Sequence, residues 1–166
     1  MKLLKAGAFV EDAYTVLADD APLPANEDGG AVLVTLDRFL KDKETLLARN
    51  AAVGVRLRAD QSPALLGEDV SRLSLVALEF PKFRDGRAFS WARLLRTRLH
   101  YKGEIRAVGD FLYDQINYQR RTGFDAWEVP DHFTLEMFQR ALTEMTYVYQ
   151  PSSDGRITIR QLRAAR

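Results

Sequence analysis

Five short apolar stretches, each followed by a helix pattern, constrain the fold of this chain more than any other feature. The strand candidates lie at residues 31–36, 53–58, 75–80, 105–108 and 126–129. Successive strands begin about 20–30 residues apart, which is the length of a strand-plus-helix unit. This alternation predicts an α/β protein of about five βα units with a mainly parallel sheet.

Two sheet topologies share this local pattern. A doubly wound sheet and a partial barrel of the TIM type both repeat a strand and a helix. A full eight-unit barrel typically needs about 250 residues, and the chain has 166. Both topologies place ligands beyond the carboxyl ends of the strands, so we expect a site in the loops that follow the strands.

The ends of the chain fall outside this repeat. Residues 1–20 predict a β-hairpin with a turn near Ala6 and Gly7, and residues 21–30 form a connector rich in turn residues. We predict one domain over 1–150, with 151–166 as a mobile tail or, at 157–159, an edge strand. Gly123 predicts the end of one helix. Side chains that can cap helix starts are Asp37, Ser62, Ser90 and Asp110.

The composition argues against several classes of function. The net charge is +1, which argues against bulk electrostatic binding of nucleic acid or of an anionic membrane. No apolar run approaches the roughly 20 residues that span a bilayer, and the first residues do not predict a secretory signal. Because the chain has no cysteine, it cannot supply a disulfide, a catalytic thiolate or a cysteine-ligated metal site. We expect a soluble cytoplasmic protein with no nucleic-acid or membrane partner.

The densest group of charged residues lies where the strand at 75–80 passes into the next helix. Helix N-terminal amides and arginine side chains both donate hydrogen bonds to anions and both carry positive charge. The pattern therefore predicts an anion site, although surface pairing of the same arginines with nearby carboxylates fits the residues as well. The predicted anion ligands, one of them from the following strand, are Lys82, Arg84, Arg87, Ser90, Arg93 and Arg106.

Arg106 interrupts an otherwise apolar strand, where an unpaired charge would be costly. We expect it to face a carboxylate, a ligand or solvent, and the candidate partners on neighbouring strands are Glu79 and Glu128. Carboxylates at such positions can also act as general acids or bases. The candidates for that catalytic role are Glu79, Asp110 and Glu128.

The common cofactor motifs are missing from the sequence. No glycine-rich phosphate loop follows a strand, and the two histidines, His100 and His132, lack the spacing of metal ligands. The sequence therefore predicts neither a cofactor nor a metal site.

Several segments together resemble a family of uncharacterised bacterial proteins. They are FRDGRAFS at 83–90, LLR at 94–96, GEIRAVGD at 103–110, DQ at 114–115 and RTGFD at 121–125. The resemblance covers roughly residues 30–150. Thr122 stands where members of the family often have a cysteine. The matching positions that join the candidate site are Asp85, Gly86, Arg96, Asp114 and Gln115.

Members of that family are commonly encoded beside genes for sulfite reductase and phosphoadenylyl-sulfate reductase. The resemblance therefore implies a role in assimilatory sulfite reduction, with the label of an oxidoreductase. An oxidoreductase needs a redox centre, and the sequence offers no recognisable one, so the first hypothesis is an accessory protein that binds a reductase or a small anion. The second is an autonomous enzyme that acts on a small anionic metabolite. The third is a non-catalytic, homodimeric interaction module that uses Trp91 on a helix over 89–101.

Overall fold

The computed structural model describes residues 1–24 and 30–165. Its strands are β1 (Lys2–Lys5), β2 (Ala8–Val10), β3 (Tyr14–Val16), β4 (Ala31–Thr35), β5 (Val53–Leu57), β6 (Leu75–Phe80), β7 (Glu104–Gly109) and β8 (Ala126–Val129). Its α-helices are α1 (Leu36–Lys41), α2 (Lys43–Leu47), α3 (Arg87–Thr97), α4 (Ile116–Thr122), α5 (Leu135–Thr143) and α6 (Ile159–Ala164). Turns of 3-10 helix cover Pro63–Arg72 and Tyr113–Gln115.

All eight strands join one sheet, in the order β2-β1-β8-β7-β6-β5-β4-β3. Strands β3 to β8 are parallel neighbours in chain order, and β1 pairs antiparallel with both β8 and β2. The predicted parallel sheet and N-terminal hairpin are confirmed. Of the two predicted topologies the sheet is the partial barrel, because its strand order never reverses as a doubly wound sheet requires.

The sheet is strongly curled, and the chain itself shows why. Strands β2 and β3 are the two outermost strands, yet only residues 11–13 connect them. Such a link reaches about 14 Å at most, whereas the outer strands of a flat eight-stranded sheet would lie about 34 Å apart. The sheet therefore forms a half barrel, and residues 11–13, which we call the strap, cross its concave side.

The helices cover the convex face, as parallel strands with right-handed connections in chain order require. Alternate side chains of β1 and of β4 to β8 meet the helices there and form the main core, with Phe39, Phe80 and Leu95 fully buried. The opposite, concave face holds a small apolar cluster of Leu33, Leu75, Ala77 and Val108, against which Tyr14 packs. The same face also carries the charged side chains of Arg56, Glu79, Glu104, Arg106 and Glu128.

Two of the predicted helix signals are confirmed. Ser62 caps the segment that begins at Pro63, accepting a hydrogen bond from the Ala64 N–H. Gly123 ends α4 with a φ of +116°, which favours glycine.

Three predicted N-caps are wrong. Thr35 rather than Asp37 caps α1. Helix α3 begins at Arg87, so Ser90 lies within it. The segment after β7 starts with a 3-10 turn whose cap is Leu112, two residues beyond Asp110. Another polar residue takes the cap only in α1, whereas α3 begins after Gly86 without a side-chain cap.

The predicted edge strand at 157–159 is also wrong. Thr158 caps α6, and the Ile159 N–H donates to the Val148 carbonyl. Part of the predicted connector at 21–30 lies outside the described residues. Within the described part of the chain, every helix is too short or too polar to cross a membrane.

Candidate functional site

The most unusual feature of the concave face is the fully buried guanidinium of Arg106, which is 1% exposed. It donates to Asp12 through both terminal nitrogens at 2.6 and 3.1 Å, to Glu104 at 3.0 Å and to Glu128 at 3.4 Å. These bonds use four of the five N–H donors that an arginine has. We call this group of four residues the concave cluster.

Strand alternation explains how the concave cluster forms. Ile105 and Ala107 point to the helices, so Arg106 must point to the concave face. Glu128 lies on the neighbouring strand β8, and the strap brings in Asp12 from a position 94 residues away in the chain. The ring of Tyr14, the residue that follows the strap, lies 5.5 Å from the guanidinium and covers it.

The electrostatics of the concave cluster keep Arg106 charged. Burial by itself acts to lower the pKa of Arg106, but hydrogen bonds from the guanidinium to Asp12 and the charge of Glu104 outweigh it, so the pKa is raised. Glu104 also forms an ion pair with Lys5 of β1 at 2.5 Å, and this contact raises the pKa of Lys5. Three carboxylates therefore face two cations.

The predicted pair of Arg106 with Glu128 is confirmed, whereas Glu79 takes a different partner. Glu79 lies on the same concave face and pairs with Arg56 of β5 at 3.3 Å. Two of the three predicted acid/base residues, Glu79 and Glu128, thus share one face, on the strands that flank β7. Asp110 is exposed beyond the carboxyl end of β7, where its backbone N–H donates to the Phe80 carbonyl at 2.7 Å.

The loop after β6 carries the basic residues that the sequence placed at a strand-to-helix junction. A hydrogen bond from the Asp85 N–H to the Lys82 carbonyl, 2.8 Å long, closes a turn. The Gln115 amide donates to the Phe83 carbonyl at 2.8 Å and ties this turn to the segment after β7. The loop is therefore ordered by bonds from two directions. Together with Gly86 it lines a shallow depression of about 500 Å³.

Asp85 occupies the place where an anion at the start of α3 was predicted. Its carboxylate accepts from the Arg87 backbone N–H at 3.2 Å and from the Arg87 guanidinium at 2.6 Å. The side-chain bond and then the backbone bond lower the pKa of Asp85 to about 2. The side chains of Lys82 and Arg84 are exposed and form no hydrogen bond or ion pair with any residue in 1–24 or 30–165. We call Lys82, Arg84 and Arg87 the basic rim.

The six predicted anion ligands do not meet in one place. Lys82, Arg84 and Arg87 lie on the rim, and Arg106 is enclosed in the concave cluster. Ser90 and Arg93 lie on the exposed side of α3, whose inward side carries Ala88 and Ala92. Their common role in anion binding stays a prediction.

Arg96, one of the positions that match the family, has a structural role. Its guanidinium donates to the carbonyls of Tyr101, Gly103 and Gly123 at 2.8 to 3.1 Å and also to Asp125. All five donors are used. Asp125 in turn accepts from the Ile105 N–H at 2.9 Å. Arg96 thus fastens together the loops that lead into β7 and β8, and we call it the amino-end clamp.

The structure also places the candidate residues Asp114 and Trp91. Asp114 is an exposed residue of the 3-10 turn that precedes α4. Trp91, proposed for an interface, is only partly exposed, and its indole N–H donates to the Ala59 carbonyl at 3.0 Å. The indole N–H is therefore already bonded within the chain.

A larger cavity lies at the other end of the sheet. It has a volume of about 1000 Å³ and opens beside the Ala6–Gly7 turn, where Lys5 pairs with Ala126, the first residue of β8. Sequence reasoning missed it because its walls come from the hairpin, the loops before β7 and β8, α5 and the tail. No local pattern links these segments. This cavity therefore lies at the end of the sheet opposite to the carboxyl ends, where the sequence predicts a site.

Fold and site define a class: a half-barrel βα protein with a charged concave face, a basic rim at the carboxyl ends and a clamped, open amino end. Among residues 1–24 and 30–165, no group of three or more His, Asp or Glu side chains is placed to hold a metal ion.

A family model described as a bacterial protein of unknown function (DUF934) matches residues 54–159, more than half of the chain. The chain belongs to this family. No curated protein and no solved structure matches it.

Proposed function

We propose that this protein is an accessory protein of assimilatory sulfite reduction, which docks an acidic surface of the reductase against the basic rim. The observation that carries the proposal is the pair of exposed cations Lys82 and Arg84 on an ordered loop, with no charge partner in the described part of the chain. The resemblance to a family encoded beside sulfite reductase genes supplies the pathway.

The shape of the rim favours a macromolecular partner over a free small anion. Small-molecule sites usually enclose most of their ligand, whereas the depression beside Lys82 and Arg84 is shallow and both side chains are exposed. Exposed charges on a surface mainly accelerate association with an oppositely charged partner. The rim is therefore suited to steering and aligning an acidic protein surface.

The test replaces the free cations of the rim. A deletion strain should grow poorly on sulfate and normally on cysteine, and the wild-type gene should restore growth on sulfate. The variant Lys82→Ala/Arg84→Ala should fail to restore it and should bind the purified reductase at least about tenfold more weakly. The matched control is Arg160→Ala/Arg163→Ala, which removes two exposed cations from α6 and should behave as wild type.

Equal growth of the deletion strain on sulfate and cysteine would contradict the pathway. Equal binding by the rim variant and the control variant would contradict the docking surface. Binding that does not weaken as salt is raised would argue against an electrostatic contact.

A second candidate function, an autonomous enzyme, is favoured by one observation. Glu79 and Glu128 share the concave face, and Arg56, the exposed partner of Glu79, could position an anionic substrate. The same growth assay separates the two functions. For the enzyme, Glu79→Gln/Glu128→Gln should fail to restore growth, whereas the rim variant Lys82→Ala/Arg84→Ala should restore it.

A further inference from the structure

The carboxyl ends of β6 and β7 carry two neighbouring loops of opposite charge. The loop after β6 contributes the exposed cations Lys82 and Arg84. The loop after β7 contributes the exposed carboxylates Asp110 and Asp114. Within the described part of the chain, none of these four side chains forms a hydrogen bond or an ion pair. Both sets of charges are therefore available to a partner.

Hydrogen bonds hold the two loops side by side. The Asp110 N–H donates to the Phe80 carbonyl at 2.7 Å, where the two strands end. Further out, the Gln115 side chain bridges the loops, because its N–H donates to the Phe83 carbonyl at 2.8 Å and its oxygen accepts from the Leu112 N–H at 3.1 Å. The cations and the carboxylates are thus held in fixed positions relative to one another, which lowers the entropic cost of binding a partner.

An apolar side chain is exposed in the middle of each loop. Phe83, which is 37% exposed, lies between Lys82 and Arg84 in the chain, and the Arg84 guanidinium lies 5.2 Å from its ring. Leu112, which is 44% exposed, lies between the two carboxylates of the other loop. Each loop therefore presents an apolar residue flanked by charges of one sign, and an apolar centre with a polar rim is the usual composition of a protein interface.

A second copy of this chain matches this surface. A rotation of 180° about an axis between the loops places the cationic loop of each copy against the acidic loop of the other, as an isologous contact requires. The remaining charges of the cationic loop, Asp85 and Arg87, neutralise each other at 2.6 Å and do not change this pattern. A partner of a single charge sign would be attracted by one loop and repelled by the other.

We propose that this chain forms a homodimer through the loops at 82–84 and 110–114, which we call the paired loops. The cations of one loop face the carboxylates of the partner's other loop, and Phe83 packs against Leu112 of the partner subunit. Because the contact is small and largely charged, we expect a weak dimer that dissociates as salt is raised. The dimer covers the cations of the basic rim and therefore competes with the proposed docking of a reductase.

Sedimentation equilibrium of the purified protein tests this contact. From about 1 µM to about 1 mM protein, the range in which a weak dimer dissociates, the average mass should rise from that of one chain towards that of two. The control Arg160→Glu/Arg163→Glu reverses two exposed cations of α6 and should change the association constant less than about twofold. Since the measurement needs no reductase, its outcome is independent of the proposed docking.

Charge reversal distinguishes the paired loops from any other surface. Lys82→Glu/Arg84→Glu makes both loops acidic, and Asp110→Lys/Asp114→Lys makes both basic, so each variant alone should self-associate at least about tenfold more weakly than the wild type. When the two variants are mixed, every acidic loop again meets a basic loop, and heterodimers should form with about the wild-type affinity.

Circular dichroism of the charge-reversed variants should match that of the wild type. Three results would each overturn the proposal: a wild-type protein that stays monomeric at about 1 mM, reversed variants that self-associate as well as the control, or a mixture that forms no heterodimer.

Discussion

Arg96 and Arg106 are two arginines of one half barrel that are held in opposite ways. Each lies over a tyrosine ring, Arg96 at 5.7 Å from Tyr101 and Arg106 at 5.5 Å from Tyr14. Most of the N–H donors of Arg96 bind backbone carbonyls at the amino end. Four N–H donors of Arg106 instead bind carboxylates of the concave face. The first arginine joins loops, and the second balances charge.

The difference determines what is left behind when each arginine is removed. Without Arg96, carbonyl groups lose hydrogen bonds, but no net charge remains unpaired except on Asp125, which is half exposed. Without Arg106, Asp12, Glu104 and Glu128 face one another with Lys5 as the nearest cation. Repulsion between carboxylates at short range is costlier than lost hydrogen bonds to neutral groups.

The largest effect is therefore expected for Arg106→Met. We expect the free energy of unfolding to fall by about 3–5 kcal/mol, the usual result of removing one partner from a buried ion pair. Urea denaturation monitored by circular dichroism measures the change. The control Arg56→Met breaks the more exposed pair with Glu79 on the same face and should cost less than about 1 kcal/mol.

A rescue experiment distinguishes unpaired charge from lost packing. Adding Asp12→Asn and Glu104→Gln to Arg106→Met removes the repulsion and should recover a large part of the lost stability. If the rescued variant is as unstable as Arg106→Met alone, the role assigned to charge balance is wrong. If Arg106→Met alone does not fold, recovery of folding in the rescued variant tests the same role.

An intermediate effect is expected at the amino-end clamp. Arg96→Ala should lower the free energy of unfolding by about 2–3 kcal/mol, because several partly buried carbonyls lose their donors. Gly123→Ala should lower it by about 1–3 kcal/mol, since the residue has a φ of +116° and the new Cβ would lie 2.5 Å from the Arg96 Cγ. A flexible side chain would normally move away from the new Cβ. The side chain of Arg96 cannot do so without breaking its hydrogen bonds.

The double variant tests this last point. With Arg96 already removed, Gly123→Ala retains only the backbone strain, so the two effects should fall short of additivity by more than about 0.5 kcal/mol. Urea denaturation of the four proteins in the cycle measures the coupling energy. Strict additivity would show that Arg96 does not hold its position against Gly123.

The smallest effect is expected at the exposed pair of the rim, Asp85 with Arg87. The pKa of Asp85 is lowered to about 2, chiefly by the Arg87 side chain. A carboxyl whose folded pKa lies below its unfolded value of 3.8 stabilises the fold above pH 3.8, and this contribution is lost as the pH falls towards 2. NMR titration should give a midpoint near 2, and Arg87→Ala should move it towards 3.8. An unchanged midpoint in that variant would show that the pair does not form in solution.

Strands and helices were largely predictable because each depends on a local pattern. Strand β6 and strand β8 have the predicted bounds, since a short apolar run between polar segments defines a buried strand. The ends of helices were less predictable, as Ser90 shows: a serine can cap a helix or lie inside one, and only the path of the preceding loop decides. The helix of the tail was missed because two isoleucines that flank a threonine also fit a strand.

The candidate site was predictable only where its partners are close in sequence or on adjacent strands. The pairing of Arg106 with a carboxylate followed from its place in an apolar strand, and Glu128 proved to be one partner. Its shortest contact, with Asp12, could not be predicted. It depends on a strap that crosses the sheet, and the strap exists only because the sheet curls.

By itself the sequence determined the repeat of strands and helices, the parallel sheet, and the need of Arg106 for a counter-charge, because each follows from spacing or from the energetics of a single residue. Only the tertiary structure decided which residues share a surface. The curl of the sheet brought Asp12 to Arg106, and the fold as a whole gathered Lys102, Arg120 and Trp127 around one cavity. Contacts of this kind depend on the closure of the whole sheet, and no local pattern encodes them.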